Sequence, residues 1–500
     1  MRRWIIGMAA ACGTAGSALA QFDNSPWPGF KGGAACRGSV EADGPATTLA
    51  FELNNFATIS SGGVTLGSNG DVYFKTYRLA GSHVYRLDKS NGGVLAKSVD
   101  LGGAAGNYAG AAVGVDAVFT CIFTAAGDTK IVRLNKDTLA VEATFTNAAF
   151  QGLRGTPLIG SVKNQNGNVN LYVHDRNGSS IHCVDSVTGD VMWTYFTIYP
   201  SVVGMAGPMW LTNDGRQAVA YFGNGSLGPG AALADNGDGT YDVLWEAVGP
   251  QNFNWWGSGA LSADGSRIYV TTFNDGTPKT DSLWAVNVSN GSVAWSAGAE
   301  TVGDEENHFA RPAVVGNRVY CGGHLGRIVC YQDNGSDGVK TWTYQNADPG
   351  EFTGIAAVKT SGGDVYVYGI QQENAAAQYG TLVVLKDTGS GFEVLLETNL
   401  NGNMRRSFLG TNAGTPDADG SFWMGGGRHD DVDEGDIYKW VVDSCYADCE
   451  GDGDLDIFDY LCFLDRFANQ EAYADCEGDG DWDIFDFLCY QGKYANGCTF

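Results

Sequence analysis

Apolar and polar residues alternate in short runs along most of this chain. Asp71-Val72-Tyr73-Phe74, Arg318-Val319-Tyr320-Cys321 and Asp364-Val365-Tyr366-Val367 are typical. β-branched and aromatic residues with a period of two, bounded by Gly, Asn and Asp, predict strands joined by tight turns. Helical periodicity appears only near the end, where Ile457, Leu461 and Leu464, and then Ile484 and Leu488, share a face. Glycine supplies 72 of 500 residues and only 17% are charged, which suits strands and turns better than long surface helices.

One phrase recurs along the strand-rich part: an apolar strand, an Asp or Asn turn with Gly, then a second strand. His83-Val84-Tyr85-Arg86-Leu87-Asp88 and Lys130-Ile131-Val132-Arg133-Leu134-Asn135 are two copies. Cys183-Val184-Asp185 with Thr188-Gly189 and Trp193, Ala285-Val286-Asn287 with Asn290-Gly291 and Trp295, and Arg327-Ile328-Val329-Cys330-Tyr331 are three more. Weaker copies are centred near 233–245, 382–396 and 437–442. The copies lie roughly 45–55 residues apart, and each has a strand pair upstream, which predicts four-stranded propeller blades. The last copy lacks an outer strand, and residues 49–53 can supply it, so N-to-C pairing predicts eight blades.

The phrase with Asp185, Thr188-Gly189 and Trp193 resembles the PQQ-like repeat, and Trp27-Pro28-Gly29-Phe30-Lys31-Gly32 resembles the opening of such chains. The resemblance implies an all-β, eight-bladed, quinoprotein-like β-propeller over residues 21–443, with Trp193 and Trp295 packing neighbouring blades. Quinone enzymes of this fold often carry adjacent cysteines, and none occur here, so no PQQ cofactor is expected. Non-enzymatic members imply a binding or assembly scaffold. An extracellular carbohydrate-active or quinone-dependent enzyme is the alternative.

The final 56 residues hold one acidic pattern twice, offset by 475 − 448 = 27. Asp448, Glu450, Asp452, Asp454, Asp456 and Asp459 in the first copy match Asp475, Glu477, Asp479, Asp481, Asp483 and Asp486 in the second. Positions 1, 3, 5, 7, 9 and 12 of a loop with Gly at 6 (Gly453, Gly480) are the oxygen ligands of a Ca2+ loop. Two Ca2+ sites are therefore expected, with position 7 ligating through its carbonyl. An apolar helix follows each loop.

This duplicated loop–helix resembles the dockerin family, in its Cys-flanked GC-type form. Residues 444–500 thus read as a small α-helical module with two EF-hand-type loops, and the resemblance implies a cohesin-like or cell-surface docking partner. Dockerins of cellulosomes usually carry small polar recognition residues at loop positions 10 and 11. Here those positions are Ile457-Phe458 and Ile484-Phe485. They imply an apolar docking face, or a face packed on the chain's own propeller.

Six cysteines fall in the tail: Cys445, Cys449, Cys462, Cys476, Cys489 and Cys498. The equal 13-residue spacings favour one bridge per repeat, with a Cys445–Cys498 clasp around both; zinc is the alternative partner of these thiols. In the body, Cys321 and Cys330 flank a turn and form a candidate cross-hairpin disulfide. The other body cysteines, Cys36, Cys121 and Cys183, leave at least one buried unpaired thiol.

Met1-Arg2-Arg3, an apolar run over 4–11 and Ala18-Leu19-Ala20 read as a signal peptide over 1–20, with a lipoprotein site at Cys12 as the other option. No segment reaches transmembrane length. The expected location is secreted or cell-surface, in a bacterium, a compartment that permits disulfides. The formal net charge is −27, and the basic stripe that a nucleic-acid partner would need is absent from the sequence.

The loops leading into the inner strands hold a candidate ligand rim of Arg154, Trp255, Trp256, His308, Arg311 and Arg405. Aromatic faces with guanidinium and amide groups suit a carbohydrate, polysaccharide-derived or otherwise, or a peptide. The acidic stretch 430–436 is a further candidate Ca2+ loop or a solvated hairpin tip. No catalytic residue is assigned: the chain lacks a nucleophile elbow, a P-loop and a His-Glu-x-x-His motif.

Overall fold

A computed structural model describes residues 37–42, 44–56, 59–76, 81–103, 109–124, 126–153, 155–175, 180–196, 209–211, 217–221, 229–248, 259–271, 282–298, 312–323, 325–347, 350–371, 380–399, 414–427, 435–442, 447–449, 455–471, 474, 476 and 481–496. The alternating runs form antiparallel strands, and the strands of each sequence repeat pair with one another. Among the described residues these form eight sheets. Sheet I comprises Ile59–Leu66, Asp71–Thr76, Val84–Asp88 and Val94–Lys97; sheet II comprises Ala112–Val113, Ala117–Phe123, Thr129–Asn135 and Val141–Phe145. Sheet III runs from Leu158–Lys163 to Val191–Phe196, sheet IV from Met209–Leu211 to Tyr241–Val248, and sheet V from Gly259–Leu261 to Val293–Ala297. Sheet VI runs from Ala313–Val315 to Gly338–Gln345 and sheet VII from Phe352–Lys359 to Phe392–Asn399. Sheet VIII holds Thr415–Pro416, Phe422–Gly427 and Gly435–Val442.

Two N-terminal strands join this frame out of sequence order. The second, β2 (Ala46–Phe56; the first, β1, is Ser39–Glu41), is the outermost strand of sheet VIII and pairs antiparallel with Gly435–Val442, Leu49 opposite Trp440 and Leu53 opposite Ile437. The sheets follow one another around a β-propeller. First strands of neighbouring sheets touch between V and VI, VI and VII, VII and VIII, and VIII and I, which places those strands nearest the axis. Lys89 of sheet I reaches across the chain closure to Asp417 (2.6 Å) and Asp419 (2.7 Å) beside sheet VIII. A sheet has two faces to bury, and here each is covered by the next sheet, so no blade stands alone.

The turn glycine of the repeat does two things at once. Gly291 sits at φ +70°, in the left-handed region, and the ring of Trp245 from sheet IV lies over it; an added Cβ would come within 2.5 Å of the ring. Trp245 Nε1 also donates to Val288 O at 2.6 Å. Gly189 makes the same kind of turn beneath Phe145 of sheet II. We expect Gly291→Ala to lower stability by about 1–3 kcal/mol through overpacking and left-handed strain. A urea titration checks this; an unchanged midpoint would exclude it.

Among the described residues two helices follow the propeller, α1 (Ile457–Ala468) and α2 (Ile484–Asn496). Among the described residues no helix is long and apolar enough to cross a membrane.

Candidate functional site

The two acidic loops end in the same local structure. Asp456 caps α1 by accepting from Phe458 N at 2.7 Å, while Asp459 Oδ2 accepts from Asp456 N at 2.8 Å. In the second copy Asp483 accepts from Phe485 N at 2.7 Å, and Asp486 Oδ2 accepts from Asp483 N at 2.9 Å. This reciprocal capping box satisfies helix N–H groups that otherwise lack partners, and it favours a carboxylate at the positive end of the helix. Asp486 Oδ1 also accepts from Cys476 N at 2.8 Å. Asp459 and Asp486 are 0% and 1% exposed.

These are the position-12 residues of the two loops, and among the described ligand candidates they are the buried ones. Asp448, Asp456, Asp481 and Asp483 are also described; Glu450, Asp452, Asp454, Asp475, Glu477 and Asp479 lie outside the described residues. Among the described residues no group of three metal-ligating side chains comes together. The donors that are described nevertheless fit a hard cation. They are all carboxylates, and each oxygen that accepts one backbone N–H retains a further lone-pair site.

Each loop is tied to its helix covalently. Cys449–Cys462 and Cys476–Cys489 are disulfides at the same separation of 13 residues. Cys445 and Cys498 lie outside the described residues. Between the helices, Phe463 stacks on Tyr490 with ring centroids 3.8 Å apart, and both are fully buried. Tyr490 Oη donates to Ala447 O and Tyr494 Oη to Asp456 O, so each hydroxyl of α2 reaches the first repeat. The opposite faces are open: Ile457, Phe458, Ile484 and Phe485 are all 56–60% exposed, as are Leu461 and Leu488 at 53%. The apolar pairs at loop positions 10 and 11 therefore face solvent and are not packed on the propeller.

The Cys321–Cys330 disulfide is not formed. Neither cysteine is in a disulfide, and both are buried. Antiparallel pairing sets Tyr320 opposite Cys330 and Cys321 opposite Val329, so the two sulfurs lie on opposite faces of sheet VI. Cys330 packs with Tyr320 and Trp342, and Cys321 with Tyr269 and Tyr331. Cys121 and Cys183 are also buried and in no disulfide. Burial pushes the thiols of Cys121 and Cys330 up to about 12, which leaves them protonated and poor nucleophiles.

The candidate rim residues Arg154, Trp255, Trp256, His308, Arg311 and Arg405 all lie outside the described residues, as does 430–434 of the acidic stretch. Two polar clusters were not foreseen. Lys75 is fully buried, donating to Ala109 O at 2.9 Å and Cys121 O at 3.1 Å; burial lowers its pKa to about 7. In sheet III, His182 Nε2 is 3.1 Å from Ser180 Oγ and 3.7 Å from Asp175 Oδ2, with His174 beside them. Serine and aspartate both sit on the same imidazole nitrogen, and all three side chains are fully buried, so this is not a nucleophilic triad. Neither cluster has a sequence signature, since each is assembled from strands whose pattern is otherwise apolar.

A family model described as outer membrane protein assembly factor BamB matches residues 231–421. No curated protein matches the chain. A europium-containing methanol dehydrogenase is similar in structure, with 11% identity over 85% of this chain and 99% of that one and a TM-score of 0.57. The quinohemoprotein alcohol dehydrogenase ADHIIG from Pseudomonas putida HK5 covers 84% of this chain and 80% of its own, at 10% identity and a TM-score of 0.55. The computationally designed Ika8 protein covers 79% of this chain and 99% of its own, at 12% identity and a TM-score of 0.51. At these identities the likeness is one of fold, the β-propeller.

Proposed function

We propose that the chain is a secreted, non-catalytic binding or scaffold protein. Its eight sheets act as an eight-bladed propeller, and a Ca2+-dependent dockerin-like module tethers it to a surface or a multiprotein complex. The duplicated tail supports this reading: the last carboxylate of each acidic pattern, Asp459 and Asp486, is buried, and the apolar pairs just before them are exposed. Such faces on a stapled module are suited to docking, with a cohesin-like or cell-surface protein as partner. The match to a model described as an assembly factor supports the scaffold side of the reading. A carbohydrate or a peptide is the ligand class proposed for the propeller mouth.

The tail is tested by calorimetry on the whole protein. We expect two Ca2+ equivalents for the native chain and one for Asp459→Ala, which also loses the hydrogen bond that Asp459 accepts from Asp456 N. Absence of Ca2+ uptake by the native chain would overturn the module's assignment. Replacing Phe458 and Phe485 by Asp should leave Ca2+ uptake intact while abolishing retention on the surface fraction of the source cell. Retention unchanged by that pair would exclude the apolar faces as the docking surface.

A further inference from the structure

Strand β1 (Ser39–Glu41) lies where a propeller needs no strand. Sheet VII is already complete with four strands, yet β1 pairs parallel with its first strand, Phe352–Lys359, on the side away from Val365–Gln371. That side faces the axis. Ser39 is opposite Ala357, Val40 opposite Val358 and Glu41 opposite Lys359.

We propose that the inner edge of sheet VII is a binding groove for an extended peptide, which the chain fills with its own residues 37–42. Phe352–Lys359 is eight residues long, whereas the first strands of sheets V and VI have three each. It therefore presents a long inner edge of backbone donors and acceptors, the template on which an extended chain adds. Ala357 N donates to Gly38 O at 2.9 Å, and Ala42 N donates to Lys359 O at 3.1 Å. Sheet VI contributes a second wall: Val314 N donates to Arg37 O at 2.9 Å, and Ser39 Oγ donates to Val314 O at 2.6 Å. Arg37 Nη2 reaches a third sheet at Ala263 O, 3.2 Å away.

Side chains add selectivity to these backbone bonds. Val40 and Ala42 pack with Ala356 and Val358, while Glu41 is exposed. The groove thus takes a basic residue, a hydroxyl, a β-branched residue and a small residue at positions equivalent to 37, 39, 40 and 42.

The test uses a chain beginning at residue 43, which keeps β2, and a fluorescent peptide of residues 37–43. We expect saturable one-to-one binding to the shortened chain and at least tenfold weaker binding to the full chain. The peptide carrying Ala42→Pro loses an N–H donor and should bind at least tenfold more weakly. Equal binding to both chains, or none to a shortened chain that retains its β-sheet circular dichroism, would overturn the proposal. Should the shortened chain fail to fold, a protease site placed at residue 43 of the full chain allows cutting after folding. The cut segment should then co-elute with the ring in gel filtration and exchange with labelled peptide; its immediate loss from an intact ring would overturn the proposal equally.

Discussion

Asp387→Ala should lower the stability of the propeller by about 3–5 kcal/mol, the range for removing one partner of a buried ion pair. Asp387 ends the third strand of sheet VII, yet its main partners belong to sheet VI. It accepts from Tyr320 Oη at 2.6 Å, Arg318 Nη1 at 2.8 Å and Trp342 Nε1 at 3.1 Å, and from its own turn at Gly389 N, 2.8 Å away. Its side chain is 3% exposed and that of Arg318 17%. Truncation would strand a guanidinium, a phenol and an indole at one interface. Asp333 makes the same clasp with Tyr269, Trp295 and Arg267 of sheet V. At Asp235 the pattern persists with Tyr172 and Trp193, but Asn170 stands in place of the arginine. Asp235→Ala strands only neutral donors and should cost about 1–3 kcal/mol. The order of effects is the test: urea midpoints should fall furthest for Asp387→Ala and Asp333→Ala, less for Asp235→Ala. An Asp387→Ala protein within about 0.5 kcal/mol of the native one would refute the clasp as a stabilising device.

These clasps show what could be read from the sequence. The strand phrase, its turn glycine and its terminal Trp were visible, because each lies within one repeat. The partner of Trp342 is 45 residues further on, and nothing local marks Asp387 as the residue that crosses to the preceding sheet. Proximity in sequence misled at Cys321 and Cys330. Their placement around a turn suits a bridge, but facing positions in an antiparallel pair must match its register, and a slip of one residue moves a side chain to the other face. The tail was more legible, since its repeat spacing favoured the two disulfides that form and marked where both helices begin. Strand β1 was illegible because three residues carry no periodic signal, and its partner is more than 300 positions away. The six rim residues chosen from the loops remain a proposal, supported by residue type alone.

Acidification should weaken the fold between pH 6.5 and 4 through His174. This residue is 5% exposed near the end of the second strand of sheet III. Burial lowers its pKa from 6.5 to about 4; Asp175 opposes the shift and His182 adds to it. Asp175 itself accepts from Gln151 N, and His182 is held by Ser180 and Thr194 against the edge of Phe150. Among the described residues named here there is no lysine or arginine, and the imidazole folds in its neutral form. In the unfolded chain it takes up a proton below pH 6.5, so unfolding absorbs a proton throughout this window and stability rises with pH there. The contribution is fully present above pH 6.5 and is lost as pH falls towards 4. At 1.36 kcal/mol per unit it amounts to roughly 3 kcal/mol. Asp185 acts in a separate window. Against the cost of burial, hydrogen bonds from Asn166, Thr188, Val187 and Asn168 lower its pKa to about 2, so its contribution is lost as pH falls from the ordinary value of 3.8 towards 2. Urea midpoints at pH 7.0, 5.5 and 4.5 should therefore fall steeply for the native protein and more shallowly for His174→Gln, with the difference set by one proton. Parallel slopes for the two proteins would mean that His174 does not titrate with unfolding.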